Sequence, residues 1–544
     1  MSIRAALYPA FFILAGFFAL FLSGCEKKDP RILSLDPRIG TMGEILTIHG
    51  ENFGDERNES FVSIGGVPPT ASSYIEWSGR RIVLRVPEFG ETGLVYVHTG
   101  NKKSNAALFS NRANMPLPAN SAETGISPRI SSLEPASGAV GTLVTITGQN
   151  FGSSREGGMV TFTWDAELAP ASQADTSRPV WVAVSDSDFG YESWSDREIK
   201  VRVPDGAVSG LVEVRTLRGS SQGAYFDING RPGTKLFKDK RSYALSYSVD
   251  IRVRDASNPN SLYIWMPVPP VSSSQREAQL LSRSAEPFIE RYQGSALYRL
   301  NNLRSGENQR ITVSYLVDVY GVETELRPQL IRQTSGSVLQ AAYTIPTLLL
   351  PVNDQRVRDL CAKITGREQN AYLKAERIYQ WLISEGGIQE GPLTGGVIEA
   401  LERNRADPYA ASLLFCSLAR AAGIPALPVS GVLVDRSRGL RRHYWAEFWI
   451  EGFGWIPCDP ALGSGALASV AAPRPNGAAY YFGSLDSQRI SFSRGEALLS
   501  QMDSRGRVAV RERDYALQTV WEEAAGGLES YSSLWSDIIL TGVY

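Results

Sequence analysis

The sequence predicts a multidomain chain: two all-β sandwiches in tandem, a third β-sandwich, then an α+β domain. Three observations predict it. At 544 residues the chain exceeds one hydrophobic core, at about 150 residues per domain. Its N-terminal half contains an internal repeat, which means two copies of one module. Beyond Asn353 the apolar spacing changes from alternation to helical periodicity, and such a switch marks a change of architecture. Fifty Gly, thirty Pro and 43% hydrophobic residues suit a turn-rich β chain rather than a disordered one. The formal net charge of −2, with the signs interspersed, gives no footprint for nucleic acid.

The chain opens on Arg4 and a charge-free run from Ala5 to Leu22 that ends at Leu22-Ser23-Gly24-Cys25. A basic start, an apolar run and small residues before a cysteine resemble a bacterial lipoprotein signal. The resemblance implies a signal peptide over 1–24, acylation of the Cys25 thiol and a lipidated tether over 25–29. The folded part is then held at a membrane in the cell envelope, facing the periplasm or the cell surface. An uncleaved helical anchor is the alternative, since about 18 apolar residues just span a bilayer. Cys361, Cys416 and Cys458 remain, all in apolar-patterned segments. They are expected to be small buried hydrophobes. One disulfide with a free thiol stays open.

The repeat begins Pro30-Arg31-Ile32 and runs to Gly50-Glu51-Asn52-Phe53-Gly54; it returns 98 residues on as Pro128-Arg129-Ile130 to Gly148-Gln149-Asn150-Phe151-Gly152. Its closing strands, Trp77-Ser78 and Gly93-Leu94-Val95, return 117 residues on as Trp194-Ser195 and Gly210-Leu211-Val212. The second copy therefore carries an insertion of 19 residues (117 less 98) around Trp164 to Trp181. Short alternating strands split by Gly, Asn and Pro are the pattern of a β-sandwich. The phrase G-x-N-F-G after an alternating strand resembles the IPT/TIG immunoglobulin-like domain, over 30–112 and 127–229. That resemblance implies spacing or protein binding rather than catalysis. A further β-rich stretch over 233–350 carries Trp265-Met266-Pro267-Val268-Pro269 and is similar to the β-sandwich that precedes many bacterial transglutaminase-like cores.

The expected core covers 351–465. Asp407 is placed to N-cap a helix, Pro408 suits its first turn, and Gly423 with Pro425 stops it. His443-Tyr444-Trp445-Ala446-Glu447 alternates as a strand, and Gly452 to Gly454 turns into a second strand ending at Asp459. Residues 466–544 are expected to complete this core, with strands at Tyr480–Gly483 and Arg489–Gly495 and a closing helix from Trp521. These phrases resemble the transglutaminase-like superfamily, relatives of papain-type thiol hydrolases. The resemblance implies a cysteine at the helix start, with His443 as base and Asp459 as its orienter. Counted back twelve residues from Arg420, the cysteine position holds Pro408, which has no nucleophile.

Substitutes for the missing thiol are weak. Cys416 lies about 12 Å further along the helix, at 1.5 Å per residue, and away from the activating N-terminus. Cys458 neighbours Asp459 on a strand and should face the opposite side. Ser412 lies one turn into the helix. Trp445 and Trp455 are candidate cleft-lining residues, because aromatics often line binding clefts. No Gly-rich phosphate loop, Cys-x-x-Cys pair or His-Glu-x-x-His is present, so no cofactor and no metal is assigned. The expectation is a non-catalytic envelope protein binding an envelope protein, a peptidoglycan peptide or a glycan. An acyltransferase with a relocated nucleophile and a structural adhesin-like stalk remain alternatives.

Overall fold

The computed structural model describes residues 29–544 except 87–92, 112–126, 165–180, 332–336 and breaks of one to three residues elsewhere. The signal segment, Cys25 and most of the insertion in the second repeat lie outside the described residues. The chain divides into two compact units, one ending at Asn114 and one running from Met115 to Tyr544.

The first unit is a β-sandwich. One sheet orders Arg31–Asp36, Ile45–Glu51, Arg81–Arg85 and Tyr74–Trp77; the other orders Ile39–Gly40, Ala107–Asn111, Gly93–Thr99 and Phe61–Ile64. The repeated phrase has a packing cause. A Cβ on Gly50 would stand 2.1 Å from the Arg31 carbonyl oxygen and 2.2 Å from the Phe53 ring. Only glycine lets that ring fold back into the core. Asn52 takes φ +61°, and the Trp77 indole donates to the Phe53 carbonyl at 3.1 Å.

The second unit begins with the other copy, built the same way. A Cβ on Gly148 would stand 2.1 Å from the Arg129 oxygen, Asn150 has φ +62°, and Trp194 donates to the Phe151 carbonyl at 3.1 Å. This module is fused to the β-rich domain on its C-terminal side. Its core around Trp164 and Phe226 takes in Phe237 and Val322 of that domain.

The β-rich domain is organised by one long strand, Gly233–Pro267. Asn308–Leu326 pairs with its first half and Ser295–Asn301 with its end. Glu522–Trp535 and Ile539–Val543 pair along it as well. The C-terminus is therefore two strands of this domain, not a closing helix of the core. Glu522 and Glu523 are buried: the Trp535 indole donates to Glu522 at 2.5 Å, and Glu523 accepts the Met502 and Asp503 amides at 2.6 Å each.

The core domain packs helices Gln355–Thr365, Ala371–Glu385, Val397–Arg403 and Pro408–Ala421 against a four-stranded antiparallel sheet. The sheet orders Gly454–Cys458, Leu440–Ile450, Ala426–Val434 and Arg489–Arg494, and the last strand completes it. Tyr480–Gly483 is not a strand: Gly477–Tyr480 forms a short helix, and Tyr481 and Phe482 turn inward to the core.

Polar contacts lock the second module onto the core. Lys235 Nζ donates to Asp205 at 2.5 Å and to the Trp455 carbonyl at 2.7 Å. The Trp455 indole donates to Asp188 at 3.0 Å, and Arg494 bridges Glu447 at 2.7 Å and Asp188 at 3.6 Å. Lys235→Ala leaves Asp205 buried without its cation, so it should cost the second unit about 3–5 kcal/mol. Chemical denaturation checks this, and a loss below about 1 kcal/mol would mean that the contact is dispensable.

Candidate functional site

The Pro408–Ala421 helix starts as its sequence dictates. Asp407 accepts the Ala410 amide at 2.9 Å, and Pro408 occupies the first helical position, where no donor is needed. The helix packs on one face of the sheet: Phe415 meets Phe448 at 5.8 Å, and Tyr409 meets Tyr444 edge-on at 5.1 Å. At its start the helix borders a cavity of about 350 Å³ lined by Asp407, Pro408, Arg442, Tyr444, Arg513 and Tyr515, among others. The Arg513 guanidinium contacts the Asp407 carboxylate and lies over the Tyr409 ring at 4.5 Å.

His443 is the neighbour of Tyr444 on an extended strand, and neighbouring side chains on a strand leave by opposite faces. Tyr444 and Arg442 reach the cavity, whereas His443 turns to the other side and is 2% exposed. Its Nε2–H donates to Asp459 Oδ2 at 2.6 Å. Arg489 Nε donates to the same oxygen at 3.1 Å, and Asp459 Oδ1 accepts the Leu462 amide at 3.0 Å. Arg489 also reaches Asp486 at 2.7 Å. Burial pushes the Asp459 carboxyl up, but His443 and Arg489 outweigh it and hold the group at about 2. His443 and Asp459 thus meet. Pro408 belongs to the opposite side of the sheet.

The substitutes fare no better. Ser412 is buried and its hydroxyl donates to the Tyr409 carbonyl at 3.1 Å, a bond within its own helix. Cys416 and Cys458 are fully buried, and burial pushes both thiols up, so neither forms a thiolate readily. Cys361 is buried too, and no disulfide joins the three. Trp445 and Trp455 are 4% and 3% exposed. They border a void of only about 30 Å³, and Trp455 packs against Tyr343 and Trp449, so these rings fill an interdomain layer rather than an open cleft. Among the described residues no group of three or more His, Cys, Asp or Glu could hold a metal, and no helix is long and apolar enough to cross a membrane. Sequence reasoning missed Arg489, Arg442, Arg513 and Tyr515. None sits in a motif, and each arrives through pairing with residues distant in the chain.

The Asp459 carboxyl gives a pH prediction. Its folded value of about 2 lies below the unfolded value of about 3.9. The group therefore stabilises the fold above about pH 4, and that contribution, about 2–3 kcal/mol, is lost as pH falls through about 2. Asp459→Asn should remove it, flattening the stability profile in that window. An unchanged profile in denaturation between about pH 5 and 2 would show that the network carries no such energy.

Residues 358–460 match the transglutaminase-like superfamily, and residues 30–112 and 128–229 each match the IPT/TIG domain. An uncharacterized protein of Haemophilus influenzae is 29% identical over 140 residues, which covers 20% of this chain and 36% of that relative. The chain thus spans little more than a third of that relative's length. Among solved structures, a candidate cysteine protease from Cytophaga hutchinsonii is 12% identical, over 57% of this chain and 92% of the other, with a TM-score of 0.37. The periplasmic domain of TgpA from Pseudomonas aeruginosa is 15% identical, over 42% of this chain and 91% of the other, with a TM-score of 0.23. The chain therefore carries two IPT/TIG domains in tandem and a transglutaminase-like core.

Proposed function

We propose that this chain is a lipid-anchored protein of the bacterial cell envelope whose transglutaminase-like domain binds peptide or glycan strands without catalysing acyl transfer. One observation supports the reading: Pro408, which the family resemblance sets at the nucleophile position, lines a cavity with Arg442 and Tyr444 on one face of the sheet, while His443 is tied to Asp459 on the other. Thiol acyl transfer needs nucleophile and base within hydrogen-bond reach. The retained pair has a structural role instead, because removing one member of a buried ion-paired network strands the others. The anchor rests on Leu22-Ser23-Gly24-Cys25. The tandem IPT/TIG domains support a spacing role between that anchor and the core.

The purified chain should turn over no glutamine amide or peptide substrate, and His443→Ala should leave that baseline unchanged. Iodoacetamide should leave Cys361, Cys416 and Cys458 unlabelled in the folded protein. Turnover abolished by His443→Ala, or labelling of Cys416 or Cys458, would overturn the non-catalytic reading. In bacterial cells making the protein, metabolic labelling with a palmitate analogue should tag the wild type and not Cys25→Ser; equal labelling would rule out the anchor.

A further inference from the structure

We propose that the cavity at the start of the Pro408 helix is a binding site for an uncharged saccharide unit, which deepens the non-catalytic reading by naming its ligand class. Its volume, about 350 Å³, falls near the lower end of the ~300–1,000 Å³ that small-molecule sites occupy.

The charge arrangement selects the class. Arg442 pairs with Asp514 at 3.1 Å and with Asp537 at 3.3 Å, and Arg513 pairs with Asp407. Both guanidinium groups are thus matched by carboxylates. The positive end of the helix is met by the Asp407 carboxylate, which fills the place an anion would take. An anionic peptide terminus finds no unmatched cation here. A sugar hydroxyl suits the same lining, because it donates to a carboxylate and accepts from a guanidinium at once.

The remaining surface agrees. Tyr409, Tyr444 and Tyr515 bring aromatic rings and Leu440 an apolar edge, which suit the C–H faces of a pyranose. Tyr515 is 2% exposed and its ring packs against Phe492 and Trp521, so it is a fixed part of the wall rather than a mobile flap.

The test is calorimetric titration of the full chain in detergent with cellobiose, maltose, N,N′-diacetylchitobiose and, as the anionic comparison, N-acetyl-D-alanyl-D-alanine. At least one disaccharide should bind saturably and the dipeptide should not. Leu440→Trp, which fills the cavity, and Asp537→Ala, which removes an exposed acceptor from its wall, should each weaken binding by about tenfold. Asp537→Ala should do so without lowering stability, since that side chain is exposed. No disaccharide binding, binding of the dipeptide alone, or sugar binding unchanged in both variants would overturn the site. Amide turnover measured on the same preparation keeps the two readings apart: turnover defeats the non-catalytic reading, whereas absent sugar binding without turnover defeats only this site.

Discussion

The two-residue period of the strand Leu440–Ile450 decides what the core domain can do. Odd and even positions leave by opposite faces, so His443, Trp445 and Glu447 form one layer and Arg442, Tyr444 and Phe448 another. The even layer receives the Pro408 helix through Tyr444 and Phe448. The odd layer receives Asp459 and Arg494. A one-residue slip would exchange the layers, but Ala446 opposite both Pro428 and Cys458 fixes the register on either side. His443 and Pro408 are thus separated by the sheet that carries them.

The odd layer would be costly if left uncovered. It holds Asp459, Arg489, Glu447 and Arg494, all buried or nearly so, and charges in such a place need partners on every side. The second IPT/TIG domain and the β-rich domain supply them: Asp188 to Arg494 and Trp455, Asp205 to Lys235, and Gln275 to the Ser491 backbone. This explains why the second repeat belongs to the same compact unit as the core while the first is a unit of its own. The buried charges of this layer join the core to its neighbouring domains.

Much of this was legible in the sequence because it rests on local chemistry. Asp407, Pro408 and Gly423 bound the helix through capping and backbone preference, and the Gly50 and Gly148 phrases repeat because each makes room for a phenylalanine ring. The His443–Asp459 contact was implied by the family resemblance, and the Gly452 turn brings the two strands together. What failed depends on distant partners. Glu522-Glu523-Ala524-Ala525 consists of strong helix formers, yet it is a strand because Tyr263 and its neighbours on the Gly233–Pro267 strand offer a hydrogen-bonding edge. The face on which His443 lies relative to Pro408 was equally hidden, since alternation separates neighbours without saying which of them meets the helix. Arg513 and Tyr515 reach the cavity from a C-terminal stretch whose placement the sequence does not announce.

The separation of His443 from the helix start is most directly tested by titrating the thiol of the Pro408→Cys variant, alone and combined with His443→Ala. An imidazole that shares a site with a thiol lowers its pKa. The same thiol titration is expected in both proteins, set by the helix start and not by His443. A thiol whose pKa rises by about one unit or more when His443 is removed, equivalent to about 1.4 kcal/mol of coupling, would place the two on the same face and contradict the account.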